Sequence, residues 1–405
     1  MTVTQLPKLR PIDPRPIMHN GQPFILLRDP LQLTNTGVVI PQQLAPFLAL
    51  CDGMRDVGGL QASLAIRYGL RIGADVLERF VTALDEALLL DNDRFAHARE
   101  QVLARYHQAA SRTPNSADRS YPGNADELRR KLDSYLEAVD SEPPQLSEIH
   151  GLVSPHIDYE RGGQVYAAVW RHAAEAAKAV DLVVLLGTDH YGDHLVTLTR
   201  QHYSTPFGVL PTARDIVDTL ADAIGPGEAF ADEILHRNEH SIELAAIWLH
   251  HAREGQPCDV VPILCGSFAR FVRGEASPTH DLTIQALVDT LKQSMAGHRT
   301  LVVAAADLAH VGPVFGGALQ GLMERAYLQN ADEALIEHMC AGDAEGFFEA
   351  IKEQGDRYNI CGLPPIYVAL RVLGASEGQK VAYDRCPADE NGTSLVSICG
   401  ILLGN

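Results

Sequence analysis

The sequence predicts an α/β protein built on a parallel sheet, and three short apolar runs carry that prediction. Each run is followed by a helical pattern, a combination that predicts one βα unit of such a sheet. Each run also ends at a residue that can bind or handle a metal: GLVSP precedes His156, LVVLLGTD precedes His190, and VVAAA precedes Asp307 and His310. Parallel sheets bind ligands just beyond the carboxyl ends of their strands, so we expect these side chains to carry the chemistry.

A small α+β module is predicted to precede this domain, over residues 1–95. Strand-like runs at 24–27 and 37–40 are followed by helical patterns with apolar residues three and four positions apart, an order typical of a winged helix. The stretch 74–88 carries four acidic residues against one arginine, so it lacks the basic recognition helix that DNA binding requires. The run FLALCDGMRDVGGLQASLAIRYGL, with the later LERFVTALDEALLL, resembles PqqD-like peptide-binding modules. That resemblance implies a peptide or a radical SAM protein as partner.

The segment 96–114 is predicted to be a helix and a linker, since AREQVLARYHQA leads into SRTPNSADRSYPGN, a stretch rich in turn formers. The α/β domain then occupies 115–405. Asn124 followed by Glu127 predicts the capped start of a helix. Further strands are predicted at DVVPILCG and SLVSICGILL.

Composition limits the classes of partner and the compartment. The 405 residues are 46% hydrophobic, which is enough for two or three domains with a substantial core. A formal net charge of −19 opposes binding to nucleic acid, because phosphate contacts need clustered cations. No apolar run approaches the roughly 20 residues that span a bilayer, and seven cysteines without a C-x-x-C pair favour reduced thiols. We therefore expect a cytoplasmic protein without membrane partners.

His156 and His190 are predicted to be metal ligands because they occupy equivalent positions in two βα units. Loops at one edge of a sheet converge in space, so the two imidazoles can meet. For each histidine taken alone, the alternative is a structural side chain whose hydrogen bonds are satisfied.

Cys361 lies in NICGLPPIYVAL, directly before a Gly and a Pro pair that should start a helix. The positive end of a helix lowers the pKa of a thiol, so Cys361 is a candidate third metal ligand or a reactive nucleophile. The alternative is a small buried residue that only packs.

Four further residues are candidate catalytic groups. Asp307 and His310 form a D-x-x-H pair after a strand, and the carboxylate is either a general acid or base or a group that orients a histidine. Glu239 and His240 open the helix EHSIELAAIWLHHA and could reach the same site. The alternative for this second pair is a solvated acidic helix start, stabilised by the helix dipole.

Five motifs in order, SPHIDY, LLGTDHYG, EHSIE, ADLAHVG and NICGLPPIYVAL, resemble the Memo family, in particular AmmeMemoRadiSam system protein B. The resemblance covers residues 146–405. It implies a fold similar to class III extradiol dioxygenases, a three-layer sandwich with a central sheet covered by helices. It also implies a metal held by His156, His190 and Cys361. The family's further pocket residues map onto the remaining candidates, Asp307, His310, Glu239 and His240.

Two imidazoles and a thiolate could hold iron or copper for redox chemistry, or zinc for hydrolysis. The leading hypothesis is a metal-dependent oxidoreductase in which His310, positioned by Asp307, moves protons. The second hypothesis is a non-catalytic metal-binding scaffold that presents a peptide to a radical SAM partner. A zinc-dependent hydrolase is the third.

Overall fold

The structure, a computed structural model, describes residues 6–140, 142–374 and 376–405. The chain divides into two compact units between Ala109 and Ala110. The division falls inside the segment 96–114 that the sequence assigns to a helix and linker.

Within its described residues, the first unit combines a three-stranded antiparallel sheet, whose strands lie in chain order, with four α-helices. Apolar side chains from the sheet and the first three helices form its core, among them Leu27, Phe47, Leu64 and Leu84, all fully buried. The elements are β1 (Asp13–His19), β2 (Gln22–Arg28), β3 (Val38–Pro41), α1 (Ala45–Leu50), α2 (Val57–Tyr68), α3 (Ala74–Glu86) and α4 (Asp93–Gln108).

The two strands predicted from apolar runs correspond to β2 and β3, whereas β1 was not predicted. Pro14 and Pro16 obscured it, because proline cannot donate to a sheet and normally counts against a strand. Here β1 is an edge strand, where proline is tolerated. It pairs with β2 through a turn at Asn20 and Gly21, both with positive φ (51° and 73°), the geometry that an Asn-Gly hairpin adopts.

The second unit alternates strands and helices around an eight-stranded sheet. Its helices are α5 (Ala125–Glu137), α6 (Tyr159–Ala179), α7 (Arg214–Ile224), α8 (Pro226–Ala229), α9 (Ser241–Ala252), α10 (Ala269–Val272), α11 (Leu282–Met295), α12 (Leu322–Cys340), α13 (Ala344–Lys352) and α14 (Leu363–Leu373). Its strands are β4 (Ile149–Ser154), β5 (Leu182–Thr188), β6 (Val196–Leu198), β7 (Tyr203–Thr205), β8 (Gly208–Leu210), β9 (Asp259–Cys265), β10 (Thr300–Ala305), β11 (His310–Val311), β12 (Glu377–Pro387) and β13 (Leu395–Gly404).

The large sheet is mixed, with strand order β11-β13-β4-β10-β5-β9-β6 and β12 paired to β13. The four central strands β4, β10, β5 and β9 are parallel, while the strands on either side of them run antiparallel. The parallel pairing that the sequence predicted is therefore present in the centre of the sheet. β7 and β8 form a separate two-stranded hairpin. The three apolar runs are β4, β5 and β10, whose carboxyl ends lie at one edge.

Helices cover both faces of this sheet. Alternate residues of β5, such as Val184 and Leu186, join a core with side chains of α7, α11, α12, α13 and α14. The neighbouring Gly187 faces the opposite way, toward Ser241 and Ile242 at the start of α9. Both faces are therefore buried, which explains why every residue of β5 is buried and why its sequence is a continuous apolar run.

Two glycines let the loops at the carboxyl edge approach closely. A Cβ on Gly187 would lie 2.5 Å from Ser241 Oγ, so only glycine lets α9 start against the end of β5. A Cβ on Gly362 would lie 2.4 Å from the Asp307 carbonyl oxygen, so glycine also lets the start of α14 approach the loop after β10. These two contacts bring side chains from distant parts of the sequence to the same place.

None of the helices in the described residues is long and apolar enough to cross a membrane.

Candidate metal centre

Three predicted ligands meet beyond the carboxyl ends of β4 and β5. One ligand atom each from His156, His190 and Cys361 lies within 4.8 Å of the other two. The Cys361 Sγ is 3.3 Å from His156 Nε2, and the two imidazole rings meet edge to face with their centroids 5.2 Å apart. His156 is buried, whereas the His190 side chain is 26% exposed, so the cluster opens to one side.

Hydrogen bonds on the far side of each ring fix the tautomers. His156 Nδ1 lies 2.9 Å from the Ala305 carbonyl oxygen, which can only accept, so Nδ1 donates. His190 Nδ1 donates to Glu239 Oε2 over 2.9 Å. Both rings therefore turn an Nε2 lone pair toward the cluster when neutral, and a carboxylate or carbonyl behind the imidazole is the usual support of a metal-bound histidine.

Glu239 holds two histidines at once. Its second oxygen is 3.1 Å from His240 Nδ1, and it also accepts from the backbone N–H groups of His240 and Ser241. The rings of His190 and His240 stack with their centroids 5.0 Å apart. Glu239 is only 4% exposed, so it is not a solvated group at a helix end. His190, Glu239 and His240 also form a second group with ligand atoms close enough to hold an ion.

Asp307 contacts both the backbone and the ring of His156. Its Oδ1 accepts from the His156 backbone N–H at 2.8 Å, and its Oδ2 lies 3.7 Å from His156 Nε2. His310 is held separately, because its Nδ1 is 3.2 Å from the Leu308 carbonyl oxygen and its backbone N–H donates to Tyr358. The sequence left two roles open for Asp307, and its hydrogen bond and ion-pair contact are with His156 rather than with His310.

The electrostatics of the cluster favour a thiolate. Burial raises the pKa of the Cys361 thiol, but the charges of His156 and His310 and hydrogen bonds from His156 and His190 bring the pKa well below its usual value. Burial lowers the pKa of His156, yet Asp307 and Cys361 raise it to about 9. The charge of Glu239 likewise raises the pKa of His190 well above its usual range, against the effect of burial. Protein without an ion therefore holds protons that a metal must displace.

The donor set fits a metal ion. Metal–nitrogen and metal–sulfur bonds of about 2.0–2.3 Å place donor atoms around one tetrahedral ion about 3–4 Å apart. The separation of 3.3 Å between Cys361 Sγ and His156 Nε2 falls in that range. Without an ion, His156 and His190 hydrogen-bond to Cys361, and the low thiol pKa favours the ligating thiolate. His156, His190 and Cys361 would hold the ion.

Two hydroxyl groups that the sequence did not single out tie the loops of the cluster together. Thr188, the last residue of β5, donates from Oγ1 to the Cys361 carbonyl oxygen over 3.1 Å. Ser241 Oγ donates to the Thr188 carbonyl oxygen over 3.0 Å. The Thr188 position at a strand end was the available signal, but its partners are distant in sequence.

A buried ion pair between Arg112 and Glu243 holds the backbone at Glu239. Arg112 donates to the backbone carbonyl oxygens of His236 and Glu239, each over 2.8 Å, and forms an ion pair with Glu243. Glu243 also accepts from the hydroxyl of Tyr121 over 2.5 Å. The sequence placed Arg112 in a linker, and nothing local to residues 110–121 indicates this burial.

Two small cavities lie beside the cluster. One of about 260 Å³ is lined by His190 and Cys361 together with Phe268 and Pro364. The other, of about 250 Å³, is lined by His310. Asn359 lines both, so the loop before α14 separates two spaces that each reach a candidate site residue.

The fold and the site define a class: an α/β protein with a candidate two-histidine, one-cysteine metal centre at the carboxyl edge of its sheet. A family model described as "Memo-like protein" matches residues 112–401. The chain belongs to this family, as the five motifs predicted.

Curated relatives agree with the family. The chain is similar to a "MEMO1 family protein" of Aquifex aeolicus, with 26% identity over 98% of this chain and 99% of that protein. A MEMO1 family protein of Thermus thermophilus is 27% identical over 81% of this chain and 93% of its own length. One of Methanopyrus kandleri is 27% identical over 67% of this chain and 91% of its own length.

Proposed function

We propose that this Memo-like protein binds one redox-active metal ion and acts as a metal-dependent oxidoreductase related to the extradiol dioxygenases. The observation that carries the proposal is the convergence of His156, His190 and Cys361, whose ligand atoms lie within 4.8 Å of one another. A two-histidine site with a sulfur ligand suits iron or copper, and it also suits zinc. The metal's identity decides between redox and hydrolytic chemistry.

Side chains around the cluster would transfer protons, contact the substrate and position the ligands. A bound redox ion would supply the electron exchange with oxygen or substrate. His310 Nδ1 faces the Leu308 carbonyl oxygen, so in the neutral ring Nε2 can accept a proton. Glu239 and His240 border the open side beside His190, where His240 is 41% exposed and can contact a substrate. Asp307 keeps His156 in place. The 260 Å³ cavity beside Cys361 has room for a small ring.

Anaerobic metal analysis followed by oxygen-uptake assays with catechols tests the proposal. We expect iron or copper near one ion per chain and catechol-dependent oxygen uptake by the wild type. His310→Gln should lower the uptake rate by about 10²–10⁴-fold, as expected for loss of a general base, and should keep the metal. His298→Gln is the matched control, since His298 is an exposed histidine paired with Asp181.

A zinc-dependent hydrolase is the alternative function for the same site. It predicts zinc in stoichiometric amount and no dependence on oxygen. That result would replace the oxidoreductase proposal.

A feature of the first unit favours a second candidate, a metal-binding scaffold that presents a peptide to a radical SAM partner. β3 is an edge strand of its sheet, and a groove of about 440 Å³ runs between β3 and α3. Val39, 47% exposed, and Phe80 line it. An extended peptide can add to such an edge and place alternate side chains in the groove. Tight metal binding without turnover, together with peptide binding that Val39→Lys abolishes, would support the scaffold.

A further inference from the structure

The loop 355–361 ends at the proposed ligand Cys361 and has an uncommon backbone. Gly355, Asp356 and Asn359 all have positive φ, at 60°, 48° and 50°. Glycine adopts this left-handed conformation readily, and among other residues Asn and Asp tolerate it best. The Asn359 backbone N–H donates to the Asp356 carbonyl oxygen over 3.0 Å and closes the turn. The chain therefore turns sharply two residues before Cys361.

This loop holds the backbone of His310 through two consecutive residues. The His310 N–H donates to the Tyr358 carbonyl oxygen over 2.8 Å, and the His310 carbonyl oxygen accepts from Asn359 Nδ2 over 3.1 Å. On the other side of β11, His310 lies opposite Val396 of β13. The Asn359 side chain is therefore one of two groups that join His310 to the loop that carries Cys361.

Asparagine combines the properties that position 359 requires. The backbone needs a residue that tolerates positive φ, and the contact needs a donor, because a carbonyl oxygen only accepts. Aspartate tolerates the backbone but has only acceptors when it is ionised, and glycine has no side chain. Asn359 is also exposed, so a substitution removes this hydrogen bond and little packing.

The His310 ring lies beside the metal cluster. Burial lowers the pKa of His310, but the nearby Cys361 raises it overall. The ring meets Phe315 edge to face, with the centroids 5.1 Å apart. Asn359 also lines the two small cavities, one bordered by Cys361 and the other by His310. A shift of the loop would therefore change where the His310 ring lies relative to the thiol and to a substrate.

We propose that Asn359 is a positioning residue that sets the His310 ring relative to Cys361. The left-handed turn fixes the direction of the amide, and the amide fixes the His310 carbonyl group. The effect on catalysis rests on the proposed function, because it requires that His310 moves protons. A misplacement of about 1 Å can slow an enzyme about 10²-fold, so one hydrogen bond beside the reacting groups can control the rate.

Nuclear Overhauser effects between the ring protons of His310 and Phe315 test the position of His310 without turnover. In the metal-free full chain, the wild type should show this contact. Asn359→Gly keeps the left-handed backbone and removes the donor, whereas Asn359→Asp replaces the donor by an acceptor, so both should lose most of the contact's intensity. Asn20→Gly is the matched control, since Asn20 also has positive φ (51°) and its amide contacts His19.

Steady-state kinetics with a catechol separate positioning from other roles. Asn359→Gly should lower kcat about tenfold or more. Its KM and metal content should stay within about twofold of wild type, because the amide is proposed to act on His310 and not on the substrate. In the His310→Gln background the same substitution should change kcat by less than about twofold, because Asn359 acts through that ring.

Several results would overturn the positioning role. One is an unchanged ring contact in both Asn359 variants. Another is a higher KM at unchanged kcat, which would mean that Asn359 contacts the substrate directly. Equal losses of kcat with and without His310 would assign the effect to a different group. A wild type without turnover, together with loss of the ring contact in the variants, would refute the oxidoreductase proposal and support the positioning of His310. Circular dichroism checks that each variant is folded, and the Gly and Asp variants test the contact independently.

Discussion

Single side chains set the character of the metal cluster, and Glu239 contacts two of its histidines. It accepts from a ring nitrogen of His190, lies within ion-pair distance of His240, and is almost fully buried. The charges of both histidines hold the pKa of its carboxyl well below its usual range, against the effect of burial. Its charge therefore fixes the His190 tautomer and makes that ring a better ligand.

We predict that Glu239→Gln lowers metal affinity about 10–100-fold, the usual effect of losing a carboxylate behind a metal-bound histidine. Anaerobic competition with a chelator of known affinity measures the change. Glu349→Gln on α13, which removes an exposed carboxylate paired with Lys352, is the control. Equal affinities for wild type and Glu239→Gln would show that the carboxylate does not support a ligand.

Asp332 predicts a pH-dependent stability that is separate from the site. It is fully buried on α12, accepts from the Tyr383 hydroxyl over 2.8 Å, and burial raises its pKa from 3.8 to about 6. The folded state holds this proton more tightly than the unfolded state does. The contribution of Asp332 to stability is therefore fully present below about pH 4 and falls as pH rises through about 6.

Asp332→Asn removes the buried charge and keeps an acceptor for Tyr383. At about pH 7.5 the variant should be more stable than wild type, with an upper limit near 3 kcal/mol from the pKa change. At about pH 4 this gain should vanish. Denaturant unfolding at both pH values measures the difference, and Asp289→Asn at an exposed position should change little at either. A gain that does not depend on pH would contradict the assignment.

At this scale the sequence predicted the residues that lie at strand ends and failed for residues with distant partners. His156, His190 and Asp307 follow apolar strands, and Cys361 precedes a Gly-Leu-Pro-Pro helix start, so each has a local signal. Arg112 has none, because its partners lie more than a hundred positions away. Even for Asp307, sequence alone could not choose which histidine it contacts.

Among the elements, α9 and the segment 112–121 pack together and hold the turn that carries Glu239. The segment packs against the first turn of α9 through Arg112, Tyr121 and two backbone N–H groups, those of Asn115 and Ser116, that donate to Glu243. Burial raises the pKa of Glu243, but Arg112 and these hydrogen bonds lower it overall, so it is charged. The support positions the turn that carries Glu239.

We predict that Arg112→Gln costs about 3–5 kcal/mol in unfolding free energy, because it leaves a buried carboxylate unpaired. It should also weaken metal binding by moving the Glu239 backbone. Arg112→Gln combined with Glu243→Gln removes both charges and should recover much of the stability, but not the metal affinity. Chemical unfolding and chelator competition report the two effects separately. Full recovery of both would mean that Arg112 acts on stability alone.

The sequence predicted the central strands of the second unit because they are buried on both faces and therefore appear as continuous apolar runs. β4, β5, β9, β10 and β13 coincide with apolar runs. β6, β7 and β8 have three residues each, too short to show periodicity. β1 was obscured by its prolines.

At the scale of the whole molecule, the family match and the metal cluster both fall in the second unit. The family model covers only 112–401, and the relative from Methanopyrus kandleri matches 67% of this chain with 91% of its own length. All the metal-cluster residues belong to the second unit.

We therefore predict that a fragment comprising residues 110–405 folds and binds metal as the full chain does, within about twofold in affinity. Circular dichroism and chelator competition would check folding and affinity. Loss of metal binding in a folded fragment would mean that the first unit contributes to the site.

The most direct test of the metal centre is elemental analysis of anaerobically purified wild-type protein beside Cys361→Ala and Cys258→Ala. Cys258 is a buried cysteine directly before β9, at the edge of the sheet opposite the metal cluster. Its variant therefore controls for the loss of a thiol. We predict about one metal ion per chain in the wild type and in Cys258→Ala, and a large loss in a folded Cys361→Ala. Equal metal content in all three proteins, or none in the wild type, would contradict a centre built from His156, His190 and Cys361.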